Sequence, residues 1–157
     1  MISFSVSALE KAPVHKQGNL PAEFLELAPD DLFQAAGEVE YDLDASLVSG
    51  GVLISGRLSV RLASQCGRCL KDISFPLQTE NLHLFMELTE GMEIVEADEE
   101  LRAELLLNLP MNPLCTPDCL GLCPECGCDL NEKSCRCELP DTAIVESPWN
   151  ALDDLEL

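Results

Sequence analysis

Eight of the nine cysteines in this chain stand in four close pairs: Cys66/Cys69, Cys115/Cys119, Cys123/Cys126 and Cys135/Cys137. A chain that gathers so many thiols must either oxidise them or give them a metal, and that choice constrains the fold more than any other feature. Disulfides need an oxidising compartment. The opening run MISFSVSALEKAP has no signal-peptide anatomy, so the expectation is a cytoplasmic protein whose paired cysteines ligate metal. Structural zinc takes four ligands in a tetrahedron and favours thiolates in closed sites. Two zinc ions would use all eight paired cysteines, which are the predicted ligands.

Four pairs can be divided between two sites in three ways. Proximity along the chain favours Cys123, Cys126, Cys135 and Cys137 around one ion, because that short segment can wrap it locally. Cys66/Cys69 would then share the other ion with Cys115/Cys119, tying the body of the protein to its C-terminal segment. Cys128 is left over.

Other chemistries fit the cysteines less well. Tetrahedral sulfur also holds iron, but the CPxCG form occurs in CPECG and not in CGRCL. A redox-active pair would sit in a βαβ setting, whereas the surroundings of Cys66 read as antiparallel. Catalytic zinc keeps an open position that a four-cysteine shell fills. His15 and His83 lie far apart in sequence, and no phosphate loop, G-x-S-x-G or H-E-x-x-H is present. The reading is therefore non-enzymatic.

Hydrophobic periodicity supplies the scaffold. Val39, Tyr41, Leu43, Ala45 and Leu47 alternate with polar residues, and after Ser49-Gly50-Gly51 the alternation resumes at Val52, Ile54, Leu58, Val60 and Leu62. This predicts an antiparallel hairpin with one buried face, and Gly56, on the inward parity, marks a bulge or close packing. A third extended run, Ile73 to Leu88, changes parity midway, which predicts a bulge or a bend near Gln78 to Asn81. Cys66 and Cys69 then fall in a connection between strands. Ile2, Phe4 and Val6 suggest a short first strand, Lys11 to Pro21 a loop, and Ala22 to Ala36 one or two turns.

The acidic stretch Glu87 to Glu104 begins as an expected solvated loop and becomes a helix capped by Asp98. Leu101, Leu105 and Leu109 share one helical face, Leu106 widens the stripe, and Pro110 stops it. The expected fold class is α+β: an antiparallel sheet or partly open barrel, one main helix, and a cysteine-rich zinc knuckle at the C-terminal end. The expected division is a β-rich body over 1–109 with its packing helix at 98–109, a zinc-binding segment over 110–138, and an acidic tail over 139–157. In that tail Trp149, Leu152 and Leu155 predict a short amphipathic helix starting at Ser147-Pro148.

Charge bounds the partners. Nine basic residues face 29 acidic ones, a formal net charge of −20. Such a surface repels phosphate backbones, so DNA binding is not expected and direct RNA contact is disfavoured. It suits a basic protein partner. Arg68, Lys71, Lys133 and Arg136 cluster near the cysteines, where they either offset thiolate charge or touch phosphate. No apolar run is long enough to span a bilayer.

The order CGRCL, acidic spacer, Leu-rich helix, LPMNPLC, TPDCLGLCPECGCDLNEKSCRC and PWNALDDL resembles the YceD family, the large ribosomal RNA subunit accumulation proteins. The densest match is GLCPECGCDLNE, Gly121 to Glu132. The resemblance implies a role in accumulation of large-subunit ribosomal RNA and ribosome assembly, and maps the family's paired cysteines onto the eight named above. A basic ribosomal protein or a pre-large-subunit particle is the expected partner. A zinc-stapled interaction module unrelated to ribosomes is the second reading, and a rubredoxin-like electron carrier the third.

Overall fold

The alternation on either side of Ser49-Gly50 folds as the predicted hairpin in the computed structural model, which describes residues 1–137, residue 80 by its backbone alone. In chain order the elements are β1 (Ser3–Ser5), α1 (Val6–Leu9), β2 (Val14–Leu20), a 3-10 helix (Ala22–Leu25), β3 (Gln34–Ala35), β4 (Val39–Val48), β5 (Gly51–Gln65), β6 (Asp72–Glu87), β7 (Ile94–Glu96) and α2 (Asp98–Leu107). The helix expected in the 139–157 tail lies outside the described residues.

β5 is the spine. β4 pairs with it from Glu40↔Ser59 to Val48↔Gly51, and β6 pairs with it from Gly51↔Glu87 to Gln65↔Asp72. β2 adds to the far side of β4, and β3 meets β5 at Leu62 and Ala63. All pairings are antiparallel. The sheet is open, with β2 and β6 at its two sides, so the partly open barrel is not the arrangement adopted.

Period-two alternation determines which face is dry. Leu43, Ile54, Leu58 and Leu62 are fully buried, and each contributes about 1.5–3 kcal/mol by leaving water. The predicted change of parity in β6 is real. Leu77 and Thr79 face inward on odd numbers and Leu82 on an even one, across a register shift opposite Gly56 and Leu58. At Gly56 the backbone, with φ +147°, approaches so closely that an added Cβ would lie 2.1 Å from the Asp42 carbonyl oxygen. At the bulge the Leu58 N–H donates to the buried Thr79 hydroxyl at 3.1 Å. A buried amide left unpaired would otherwise be costly.

Helix α2 covers the dry face. Leu101 and Leu105 are fully buried in the same core as Ile2, Phe4, Val95 and the inward residues of β4 and β5. Arg102 fastens the helix to the 3-10 turn, donating to the Phe24 carbonyl at 2.9 Å and pairing with Glu26 at 2.8 Å.

Four expectations need correction. Lys11–Pro21 is not simply a loop: Val14–Leu20 is an edge strand on β4. Its inward positions include Lys16 and Gly18, which hid the alternation; the Lys16 ammonium lies over the Phe4 ring, 5.1 Å from its centroid, and donates to the Ser3 carbonyl. The acidic stretch is not wholly solvated, because Ile94–Glu96 pairs with Ser3–Ser5 and buries Val95. Asp98 is the first helical residue rather than the cap. Ala97 occupies that position, and the Asp98 carboxylate accepts the Ile2 N–H at 2.6 Å instead. The helix ends at Leu107, short of Leu109, and Asn108 caps it by donating to the Glu104 carbonyl.

Replacing Thr79 by valine keeps the volume and removes the acceptor for the Leu58 amide. Thr79→Val should therefore lose about 2 kcal/mol of stability, read from the urea midpoint of the full chain. An unchanged midpoint would show that the amide has another partner.

Candidate metal centre

The ends of β5 and β6 project beyond the rest of the sheet and carry the first cysteine pair. Gln65 faces Asp72 in the last rung, and the Cys66 N–H donates to the Lys71 carbonyl at 2.8 Å, closing the Cys66–Cys69 connection. The C-terminal segment is laced to this connection by backbone. Gly67 N–H donates to the Pro113 carbonyl at 2.8 Å, and Leu122 N–H to the Arg68 carbonyl at 3.2 Å. The Arg68 guanidinium returns a bond of 2.8 Å to the Cys119 carbonyl.

This lacing brings Cys66, Cys69, Cys115 and Cys119 together, all four sulfurs within 4.8 Å of one another. Cys123, Cys126, Cys135 and Cys137 form a second group within the same limit. The partition is the one that chain proximity favours. Cys66–Cys119 and Cys69–Cys115 sulfurs stand 3.8 and 3.6 Å apart, and Cys123–Cys135 sulfurs 3.4 Å apart. A tetrahedron of sulfurs at about 2.3 Å from a central ion has edges of about 3.8 Å, so both groups have the size of a four-thiolate metal shell. Cys128 belongs to neither group of four; its carbonyl accepts the Cys123 N–H at 2.8 Å. Neither histidine joins a group. His15 lies on β2 beside Asp44, its Nδ1 3.0 Å from the carboxylate, and His83 lies on β6.

Both C-x-x-C turns share one backbone form. The residue after the second cysteine donates its N–H to the carbonyl of the first, Leu70 to Cys66 and Gly127 to Cys123, each at 2.9 Å. Both residues are left-handed, with φ of 59° and 69°. Glycine suits that conformation; leucine does not. The sequence marks the second turn with CPECG but gives no such mark at Leu70.

The turns aim amides at Cys66 and Cys123. At Cys66 the Cys69 amide leads, with burial opposing and the Arg68 and Cys115 amides assisting, and the thiol comes down to about 6. At Cys123 the Cys126 and Glu125 amides outweigh burial and bring it down to about 7. Their neighbours resist ionising. At Cys69 the Lys71 amide favours the thiolate, yet burial and the surrounding sulfurs push the thiol up to about 12. Contact with the Cys126 sulfur, then burial, pushes Cys137 up to about 12. Four thiolates this close repel one another, and a divalent cation removes the repulsion. The donor set, the spacing and the electrostatics therefore all fit a metal ion.

A polar network joins the two groups. Lys71, next to the first turn, pairs with Glu132 at 2.8 Å and with Asp129 Oδ2 at 2.9 Å, the latter an ion pair lacking the alignment of a hydrogen bond. Asp129 Oδ1 accepts from both the backbone and side-chain N–H of Asn131. Asn131 Nδ2 also donates to the Cys119 sulfur at 3.4 Å. The sequence points only to Lys71 in this network, as one of the basic residues near the cysteines; Asp129 and Asn131 sit in DLNE, which reads as an ordinary polar turn.

Comparison with known proteins finds a family match over part of the chain. The model of the large ribosomal RNA subunit accumulation protein YceD matches residues 86–156, which bears out the YceD assignment drawn from the residues. An uncharacterized protein of Mycobacterium tuberculosis and one of Mycobacterium bovis are each 32% identical over 106 residues, covering 59% of this chain and 51% of theirs. One of Mycobacterium leprae is 29% identical, covering 59% of this chain and 49% of its own. The chain thus spans about half the length of these relatives. No solved structure matches it.

Leu70 is an exposed side chain in a conformation that costs an L-residue about 1–2 kcal/mol. Leu70→Gly should therefore stabilise the protein by about 1 kcal/mol, seen as a higher thermal midpoint. A lower midpoint would mean that contacts of the leucine outweigh the strain.

Proposed function

We propose that this chain is a zinc-binding, non-enzymatic factor that supports accumulation of large-subunit ribosomal RNA and ribosome assembly in the cytoplasm. The observation that carries the reading is that the family match over residues 86–156 takes in six of the eight grouped cysteines. The metal and the family resemblance thus bear on the same part of the chain.

Zinc is the ion favoured by two closed all-sulfur shells in a reducing compartment, since it needs no redox partner and imposes no geometry of its own. Cys66, Cys69, Cys115, Cys119, Cys123, Cys126, Cys135 and Cys137 would hold two ions, the first stapling residues 110–138 to the β-rich body over 1–109 and the second closing that segment on itself. The acidic tail over 139–157 completes the proposed division. A four-sulfur shell leaves no position for substrate, which argues for a structural use of the metal.

Electrostatics favours a protein partner over bare RNA. The net charge of −20 steers a basic ribosomal protein, or a pre-large-subunit particle displaying one, toward the chain. Of the basic residues near the cysteines, Lys71 is engaged by Asp129 and Glu132, and Arg68 by the Cys119 carbonyl. Both serve the protein's own structure, which supports a protein-mediated route.

Depletion of the chain, with large- and small-subunit RNA measured across a sucrose gradient, tests the reading. Large-subunit RNA should fall selectively and return with the wild-type chain but not with Cys66→Ser. Unchanged RNA at full depletion would refute the ribosomal role.

A further inference from the structure

Asn131 lies between Cys126 and Cys135, so both ends of its loop belong to the second sulfur group, while its side chain reaches the first. Its orientation is settled by its neighbours. The Leu120 N–H, which can only donate, meets Asn131 Oδ1 at 2.8 Å. The Asp129 carboxylate, an acceptor, meets Asn131 Nδ2 at 2.7 Å. That leaves the other Nδ2 proton for the Cys119 sulfur at 3.4 Å. Cys119 is almost fully buried, so this amide is a donor that reaches its sulfur inside the protein. A thiolate on a divalent ion keeps negative charge, and a donor fixed beside it strengthens the ligand set.

We propose that Asn131 couples the two cysteine groups, so that metal held by Cys123, Cys126, Cys135 and Cys137 tightens metal held by Cys66, Cys69, Cys115 and Cys119. The proposal rests on the metal-binding reading above. An ion at the second group closes the 126–135 loop and removes conformational freedom from Asn131 before it meets Cys119. Asp129 holds Asn131 from inside that loop, and Lys71 anchors Asp129 to the sheet. By linkage the effect is mutual: metal at the first group tightens the second by the same factor.

Cadmium-113 tests this on the full chain, because each four-sulfur site gives its own resonance and chelator competition gives each affinity. Disabling the second group with Cys135→Ser and Cys137→Ser should weaken cadmium at the first by about tenfold. In an Asn131→Ala background the same pair of changes should cost the first site nothing more. Equal first-site affinity with and without the second group overturns the coupling.

Asn131→Asp provides a second measurement that does not depend on the serine variants folding. It keeps the acceptor for Leu120 and loses the donor to sulfur, together with that to Asp129, so it should move the first-site resonance and leave the second in place. An unmoved first-site resonance would reduce Asn131 to a tether for Leu120 and overturn the proposal. Two bound cadmium ions with that result refute the coupling alone. No uptake by the wild-type chain refutes the metal reading, and the coupling with it.

Discussion

Four sulfurs held within 4.8 Å of one another repel as they ionise, and the C-terminal part of this protein is arranged around that constraint. Turn amides favour charge on Cys66 and Cys123, while Cys69 and Cys137 are driven toward the neutral thiol. A divalent cation at each group would remove that repulsion and tie the segments together. The apolar support there is slight. Around the first group Cys66, Cys69 and Cys119 are themselves the buried core, flanked by Ile73, Leu114 and Leu122. Metal held by these groups would take the place of a second hydrophobic core, as short segments with little apolar surface require.

The sheet supplies what the sulfurs cannot supply for themselves, a fixed first pair. β5 and β6 form a long ladder whose register is set by inward alternation and corrected by one bulge at Gly56 and Thr79. The last rung, Gln65↔Asp72, determines where Cys66 and Cys69 stand. The chain then returns through α2, and segment 112–122 docks back on the same connection by backbone bonds from Gly67 and Leu122. Sequence order and spatial order differ: the first site joins residues about fifty positions apart, and the second is local.

Much of this was legible in the sequence. The β4–β5 hairpin, the parity change in β6 and the inter-strand position of Cys66 and Cys69 follow from period-two patterning, because those strands bury mostly aliphatic side chains on their inner face. β2 escaped because Lys16 and Gly18 occupy inward positions, and β7 because a single buried Val95 lies among acids. Asp98 has the residue type of a helix cap, but the nearby Ile2 amide claims its carboxylate. The grouping of the cysteines was accessible from spacing alone. The bridge through Asp129 and Asn131 was not, since an Asx-rich turn looks the same whether its amide meets solvent or a thiolate.

The most direct test is X-ray absorption at the zinc edge, with metal content, on the purified full chain. The account predicts two ions per chain, each with four sulfur neighbours at about 2.3 Å and no nitrogen or oxygen in the shell. Fewer than two ions, or a shell containing oxygen or nitrogen, would contradict it.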